Sequence, residues 1–333
     1  MIKKILILKV GALGDVVRTT YLLPGIRKRY NEEIEIFWIT SKNAYDLLKN
    51  NKYIDKILFI ENRKDMEKIK RITFDWIISL EDEEELYNYI SEVSYKKLSG
   101  VYREDNILKY TNDLKQWFDM GLLSKYGKEK ADQLKKINNF SHTEIFSKGL
   151  NIEIKEPYFF GDSILENKVK NEIKKLKNYR IIGLNLNAGK RWPSKALNTD
   201  EAKKLIKILT ENKNNFLLIL GGREDYEKNK FLIKEFEKEN NIFLIKPVEI
   251  LEFAAIIKNL DILITSDTLA LHLAIAQEIQ TISYYAPTSA VEIDTFGKGN
   301  KIVSDKDDYC TYKPFVDNSS ITAEKILNYI NLK

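Results

Sequence analysis

A chain of 333 residues is about two domains long. Its 54 basic and 49 acidic side chains leave a net charge of +5, which argues against a nucleic-acid-binding polycation but suits phosphorylated ligands or an anionic surface. The single cysteine, Cys310, excludes an internal disulfide or a multi-cysteine metal site within one chain, and the two histidines, His142 and His272, lie far apart.

The first apolar run, ILIL at 5–8, reads as a buried strand over 5–9, and 16–29 as the helix after it. Asp15, between Gly14 and Val16, falls beyond the carboxyl end of that strand, where open α/β sheets bind ligands. It reads either as a helix-start device or as a working group. The run is broken by Lys9, lacks a small-residue cleavage site and is too short to span a bilayer. A cytoplasmic protein is therefore expected.

Further strands are expected over 34–39, 56–59, 76–79 and 97–101, with helical patterns between them, as in βα units of a parallel sheet. The acidic run 81–85 reads as a solvated loop or helix start. Residues 102–147, polar and rich in lysine and aromatics, read as a helical insertion without clear strands, and the polar stretch 151–179 as a domain boundary. A second series of strands follows over 180–185, 216–220, 242–245, 262–265 and 281–285. Helices fit at 199–212, 226–239, 250–259 and 269–277, the first with Thr199, Asp200 and Glu201 as cap and acidic first turn. The last helix, 322–332, is a candidate to pack back on the first domain. The economical reading is a first domain over 1–160, a second over 175–318 and a terminal helix over 319–333. Both domains are Rossmann-like and are expected to face each other across a cleft.

Four loops after strands of the second series carry polar or cationic groups. NLNAGKRWPSK, 185–195, gathers Lys190, Arg191 and Lys195 around Gly189; it is equally an anion cradle or an exposed basic loop. In ILGGRED, 219–225, Gly221 and Gly222 allow close approach of a nucleotide or make a tight turn. In TSDTLALHLAIA, 265–276, Ser266, Asp267 and Thr268 are placed to cap a helix, and His272 lies one turn beyond Thr268. YYAPTS, 284–289, adds Pro287 and Thr288. Neither GxGxxG nor GxxxxGK[ST] occurs, which weakens dehydrogenase and P-loop readings.

Together, LGDVVRTTYLLP, GKRWPSK and SDTLALHLAIA followed by APTSAVEIDTFG resemble glycosyltransferase family 9, the ADP-heptose:lipopolysaccharide heptosyltransferases and their relatives. The resemblance implies a GT-B fold, with donor nucleotide mainly on the C-terminal domain and acceptor on the N-terminal one. It implies inverting transfer without a metal or other cofactor. Asp15 would be the general base for the acceptor hydroxyl, with Gly14 and Arg18 on the acceptor side. Lys195, or Lys190 in the other register, would neutralise the donor diphosphate. Lys190, Arg191, Gly222, Asp267, Thr268, His272, Pro287 and Thr288 would line the donor site. Leu269 and Ala286 stand where many members have glycine, and Arg18 where histidine is frequent.

The expected donor is therefore a nucleotide-sugar, foremost ADP-heptose, and the acceptor a glycan or glycolipid of the cell envelope, with no nucleic acid partner. Lysine-rich helices near 125–136 and 168–180 read as plain solvated faces or as peripheral contacts with anionic inner-membrane lipid. Another GT-B enzyme such as a sugar-nucleotide epimerase, or a non-catalytic nucleotide-sugar binder, stays as the alternative.

Overall fold

The structure is a computed structural model describing residues 2–31, 33–81, 86–87, 90–154, 157–189, 192–311, 313 and 315–330. Its chain divides into two compact units, Met1–Phe160 and Gly161–Lys333.

In the first unit, β1 (Lys3–Leu8), β2 (Ile34–Thr40), β3 (Lys56–Phe59), β4 (Trp76–Ser79), β5 (Leu98–Glu104) and β6 (Ile107–Tyr110) form one sheet. Its order is β3-β2-β1-β4-β5-β6. The strands are parallel except for β6, which pairs antiparallel with β5. Ile5, Leu6, Ile7 and Leu8 are fully buried, as expected of a central parallel strand covered on both faces. Gly100 is indispensable where β5 meets β4. Its φ is +103°, and a Cβ there would lie 1.9 Å from the Ser79 carbonyl oxygen.

The β5–β6 hairpin lies inside the segment expected to be purely helical. Asp105 and Asn106 both adopt positive φ, 51° and 60°, and the pairing of Glu104 with Ile107 makes them a two-residue turn. Helices Lys128–Ile137 and His142–Leu150 follow, as the sequence implies. The single helix expected over 16–29 is two helices, Leu13–Thr19 and Leu22–Arg29. Thr20, whose hydroxyl donates to the carbonyls of Val17 and Tyr158, stands at the break.

The second unit repeats the arrangement. Strands β7 (Arg180–Asn185), β8 (Asn215–Ile219), β9 (Ile242–Leu244), β10 (Ile262–Ser266), β11 (Gln280–Tyr285) and β12 (Gly299–Val303) are ordered β9-β8-β7-β10-β11-β12 and are all parallel. The edge strand β12 had no counterpart in the sequence reading, because GNKIV shows only two consecutive apolar residues.

The units divide at Phe160/Gly161, within the polar stretch 151–179. That stretch holds a helix, Ser163–Ile173, capped by the Asp162 carboxylate at the N–H groups of Ile164 and Leu165, and it packs on the helix Ile250–Lys258. The cap of the helix Thr199–Glu211 is Asn198, which accepts from the Asp200 N–H, and not Thr199. Glu201 instead accepts from the Ala323 N–H. That bond anchors the last helix, Ala323–Ile330, whose buried Ile326, Leu327 and Ile330 join the core of the second unit around Leu205, Ile206 and Leu209. Its apolar face is thus used within its own unit.

Candidate active site

Both sheets place a first strand between a second and a fourth. Chain direction therefore diverges beyond the carboxyl ends of β1 and β4, and again beyond β7 and β10, which is where such sheets bind ligands.

Beyond β7 and β10, Asn185 donates from its amide nitrogen to the hydroxyls of Thr265, 3.0 Å, and Thr268, 3.1 Å, tying the two strand ends together. Thr268 is the N-cap of the helix Leu269–Ala276, yet its hydroxyl serves that link and does not bond the first-turn amides. The helix start therefore lacks side-chain capping, and its N–H groups and dipole are available to an anion. Beside it opens a cavity of about 240 Å³, lined among others by Asn185, Asn187, Gly189, Gly222, Asp225, Phe253, Thr268 and Leu269. Leu269 narrows the place where its smaller counterpart would leave room.

Asp225 was not singled out from the sequence. Its side chain lines this cavity, the residue is only 8% exposed, and Oδ1 has no hydrogen-bond partner among the described residues. Burial pushes its carboxyl up, against the pull of Lys228. A buried carboxylate oxygen without a partner is an acceptor in want of a donor. The sequence signal was present: an acid a few residues beyond the second strand of a Rossmann half, where ribose hydroxyls are held.

Lys195, on the turn Pro193–Lys195, donates to the carbonyl oxygen of Asp267, 2.7 Å, and to its Oδ2, 3.1 Å. The other carboxylate oxygen of Asp267 lies 3.2 Å from His272 Nε2, so Asp267 bridges the lysine and the histidine. An ammonium has three N–H donors, and Asp267 takes two. Pro287 is buried, and the enclosed Thr288 hydroxyl has no hydrogen-bond partner among the described residues. Lys190 and Arg191 lie outside the described residues.

In the first unit, Asp15 occupies the first turn of the helix Leu13–Thr19, but the N-cap is Ala12. Asp15 is thus not the cap but the acidic residue of the first turn, where it favours the helix start through the dipole, and its carboxylate pairs with Arg18 Nη2 at 2.7 Å. Gly14 precedes it inside the same turn. Arg18 is nearly buried, its guanidinium 5.5 Å from the Trp117 ring, whereas 39% of the Asp15 side chain stays exposed. Trp117 meets His142 edge-on, and His142 stacks on Phe146, so an aromatic floor fixes the arginine and through it the carboxylate.

Glu81 overturns its sequence reading. It is not solvated but 4% exposed, and its Oε1 lies 3.0 Å from Lys9 Nζ while accepting from the N–H groups of Val10 and Gly11. Burial pushes this carboxyl up; Lys9 and the two amides oppose that shift.

Two Rossmann-ordered units, the second with a cavity at its strand-order reversal, are the GT-B fold shared by its structural relatives. Residues 140–320 match glycosyltransferase family 9 (heptosyltransferase), and the chain belongs to that family. It is 24% identical to lipopolysaccharide heptosyltransferase 1 of Campylobacter coli, over 98% of each chain. Its structure is similar to a family 9 glycosyltransferase from Veillonella parvula, with a TM-score of 0.74 at 14% identity, covering 98% of this chain and 95% of that one. It is also similar to the E. coli heptosyltransferase WaaC with ADP-2-deoxy-2-fluoro heptose, with a TM-score of 0.62 at 15% identity and 98% of each chain covered.

Proposed function

We propose that this glycosyltransferase moves a heptose from ADP-heptose to a hydroxyl of a lipopolysaccharide-type acceptor, in one displacement that inverts the anomeric carbon. The observation that carries the proposal is the second unit's cavity, with its uncapped helix start at Thr268 and the orphan carboxylate oxygen of Asp225. The first suits a diphosphate, the second a sugar hydroxyl of the nucleotide. The adenine and heptose assignments draw on the ligand of the E. coli relative and on the activity named for the C. coli relative.

In the proposed reaction the acceptor oxygen bonds to the anomeric carbon as its proton passes to Asp15. The bond from that carbon to the diphosphate oxygen breaks, and both electrons leave with ADP. Negative charge grows on the leaving diphosphate. We assign its stabilisation to the remaining N–H of Lys195, to the helix start at Thr268 and to the Thr288 hydroxyl, with no metal or cofactor in the step. Asp267 and His272 hold Lys195 in place, and Arg18 orients Asp15. A site of action at the cytoplasmic face of the inner membrane fits an acceptor of this kind.

The test is a donor panel of ADP-, GDP- and UDP-sugars, scored by product mass. Transfer from an ADP-sugar is expected. Preference for GDP or UDP overturns the donor assignment, and binding without turnover of any donor favours the non-catalytic alternative.

A further inference from the structure

The second sheet has another opening, at the amino ends of its strands and so remote from the donor cavity. Arg180 begins β7 and Asn185 ends it, about 17 Å apart along an extended strand. Among the starts of β7, β10, β11 and β12 lies a cavity of about 440 Å³. Two tyrosines wall it. Tyr179 meets Phe216 edge-on, with 5.6 Å between ring centroids, and Tyr329 packs on the core of the unit, so both rings are held. Two opposite charges also line it, each fixed by backbone. Asp261 Oδ2 accepts from the Ile181 N–H at 2.7 Å, and Arg180 Nη1 donates to the Ile330 carbonyl at 3.3 Å. Among the described residues neither makes an ion pair, so both keep hydrogen-bonding capacity to spare.

Gln280 and Asn300 add an amide each, and Thr281 a hydroxyl. Thr281 is only 2% exposed, yet its Oγ1 has no hydrogen-bond partner among the described residues. A buried hydroxyl without a partner is a cost to the fold, and here it borders a cavity. The lining thus mixes a donor-only group, Arg180, with an acceptor-only group, Asp261, and with amides and hydroxyls that do both. Its charges cancel. An anion would meet Asp261 and a cation Arg180, while a zwitterion would use those two and leave Gln280, Asn300 and Thr281 idle. A neutral ligand rich in hydroxyls uses them all, and held tyrosine rings suit the C–H faces of a sugar. The volume falls within the range of small-molecule pockets, about 300–1,000 Å³.

We infer that this cavity is a further carbohydrate site, holding a neutral sugar residue of a glycan at the end of the sheet away from the nucleotide. It does not depend on the donor assignment: a failed donor panel leaves sugar binding here unaffected, and absent sugar binding leaves the donor reading intact. The experiment is saturation-transfer NMR on the full chain, with ADP in excess to fill the donor cavity. The probes are the methyl glycosides of glucose, galactose and mannose, with L-alanine as a zwitterion and glycerol 3-phosphate as an anion. Transfer to at least one glycoside is expected, and none to the other two probes. Thr281→Val removes the orphan hydroxyl and keeps its shape. It should weaken glycoside affinity about threefold to tenfold, with thermal unfolding unchanged or raised, since the fold loses no bond. Gln280→Ala with Asn300→Ala should weaken it at least as much, and ADP affinity should stay unchanged in both variants. The amide pair keeps the test valid should valine disturb β11. No transfer to any glycoside, equal transfer to alanine or glycerol 3-phosphate, or wild-type glycoside affinity in both variants overturns the inference.

Discussion

Beyond β1 and β4 of the first unit, the loop amides of Val10 and Gly11 point at a carboxylate of the protein itself, Glu81, which Lys9 neutralises. Beyond β7 and β10 of the second unit, the N-cap Thr268 makes no side-chain bond to the helix start, and a cavity remains beside it. Strand order is the same in both. Topology thus fixes where a Rossmann half can bind, and one residue decides whether it does. In the first unit Glu81 occupies the place beyond β1 and β4 where an anion would meet the loop amides.

The largest effect expected falls on Asp15. Replacement by alanine should lower transfer by about 10²–10⁴-fold while ADP affinity, a property of the second unit, stays unchanged. Retained transfer would remove the first unit from the chemistry. Glu81→Ala should cost about 3–5 kcal/mol of stability, because it leaves Lys9 buried and unpaired, as read by denaturant or thermal unfolding. Glu81→Gln keeps an acceptor for the two amides and should cost less; if alanine is harmless, the internal-anion account of the first unit is wrong.

Lys195→Ala should reduce turnover by about 10²–10³-fold with a smaller change in ADP affinity, since charge on the diphosphate is greatest as it leaves. Asp225→Asn should weaken ADP binding by about tenfold or somewhat more, the loss of a hydrogen bond to a charged acceptor. Only ionised Asp225 accepts freely, and burial raises its pKa. Wild-type ADP affinity should therefore fall as pH drops through that raised value, on top of the titration of ADP itself. Titration calorimetry across pH should find that component missing from the asparagine variant.

The buried runs 76–79 and 180–185 match the structure residue for residue, and so does the edge strand 56–59, of which only Leu58 is buried. Elements whose order depends on partners were not legible. β6 exists because an Asp-Asn turn folds it onto β5, and β12 because β11 offers it an edge. The helix Ser163–Ile173 is hard to place by pattern because only Val169 of its residues is fully buried. Glu81 shows the sharpest limit. In sequence it opens an acidic run, and its burial follows from Lys9, 72 residues away, which local pattern cannot reveal. Asp225 stood within a motif already noted, but its unsatisfied oxygen is a fact of packing. The family motifs drew attention to Asp15, Lys195 and Asp267, while the Asp267 bridge between Lys195 and His272 became visible only in three dimensions.

The shared strand order also governs how each half is made. β1 pairs with β2 across 31 residues, Lys3 with Ile34, but with β4 across 71, Ile5 with Trp76. In the second unit the corresponding separations are 35, Arg180 with Asn215, and 80, Ile182 with Ile262. Each doubling of a closed loop costs about 0.6 kcal/mol of chain entropy, and distant pairings form slowly. The seam that creates each crevice is thus the long-range one, and it cannot form on the ribosome until the fourth strand has emerged. A nascent second half could therefore carry three paired strands and still have no place to hold a nucleotide.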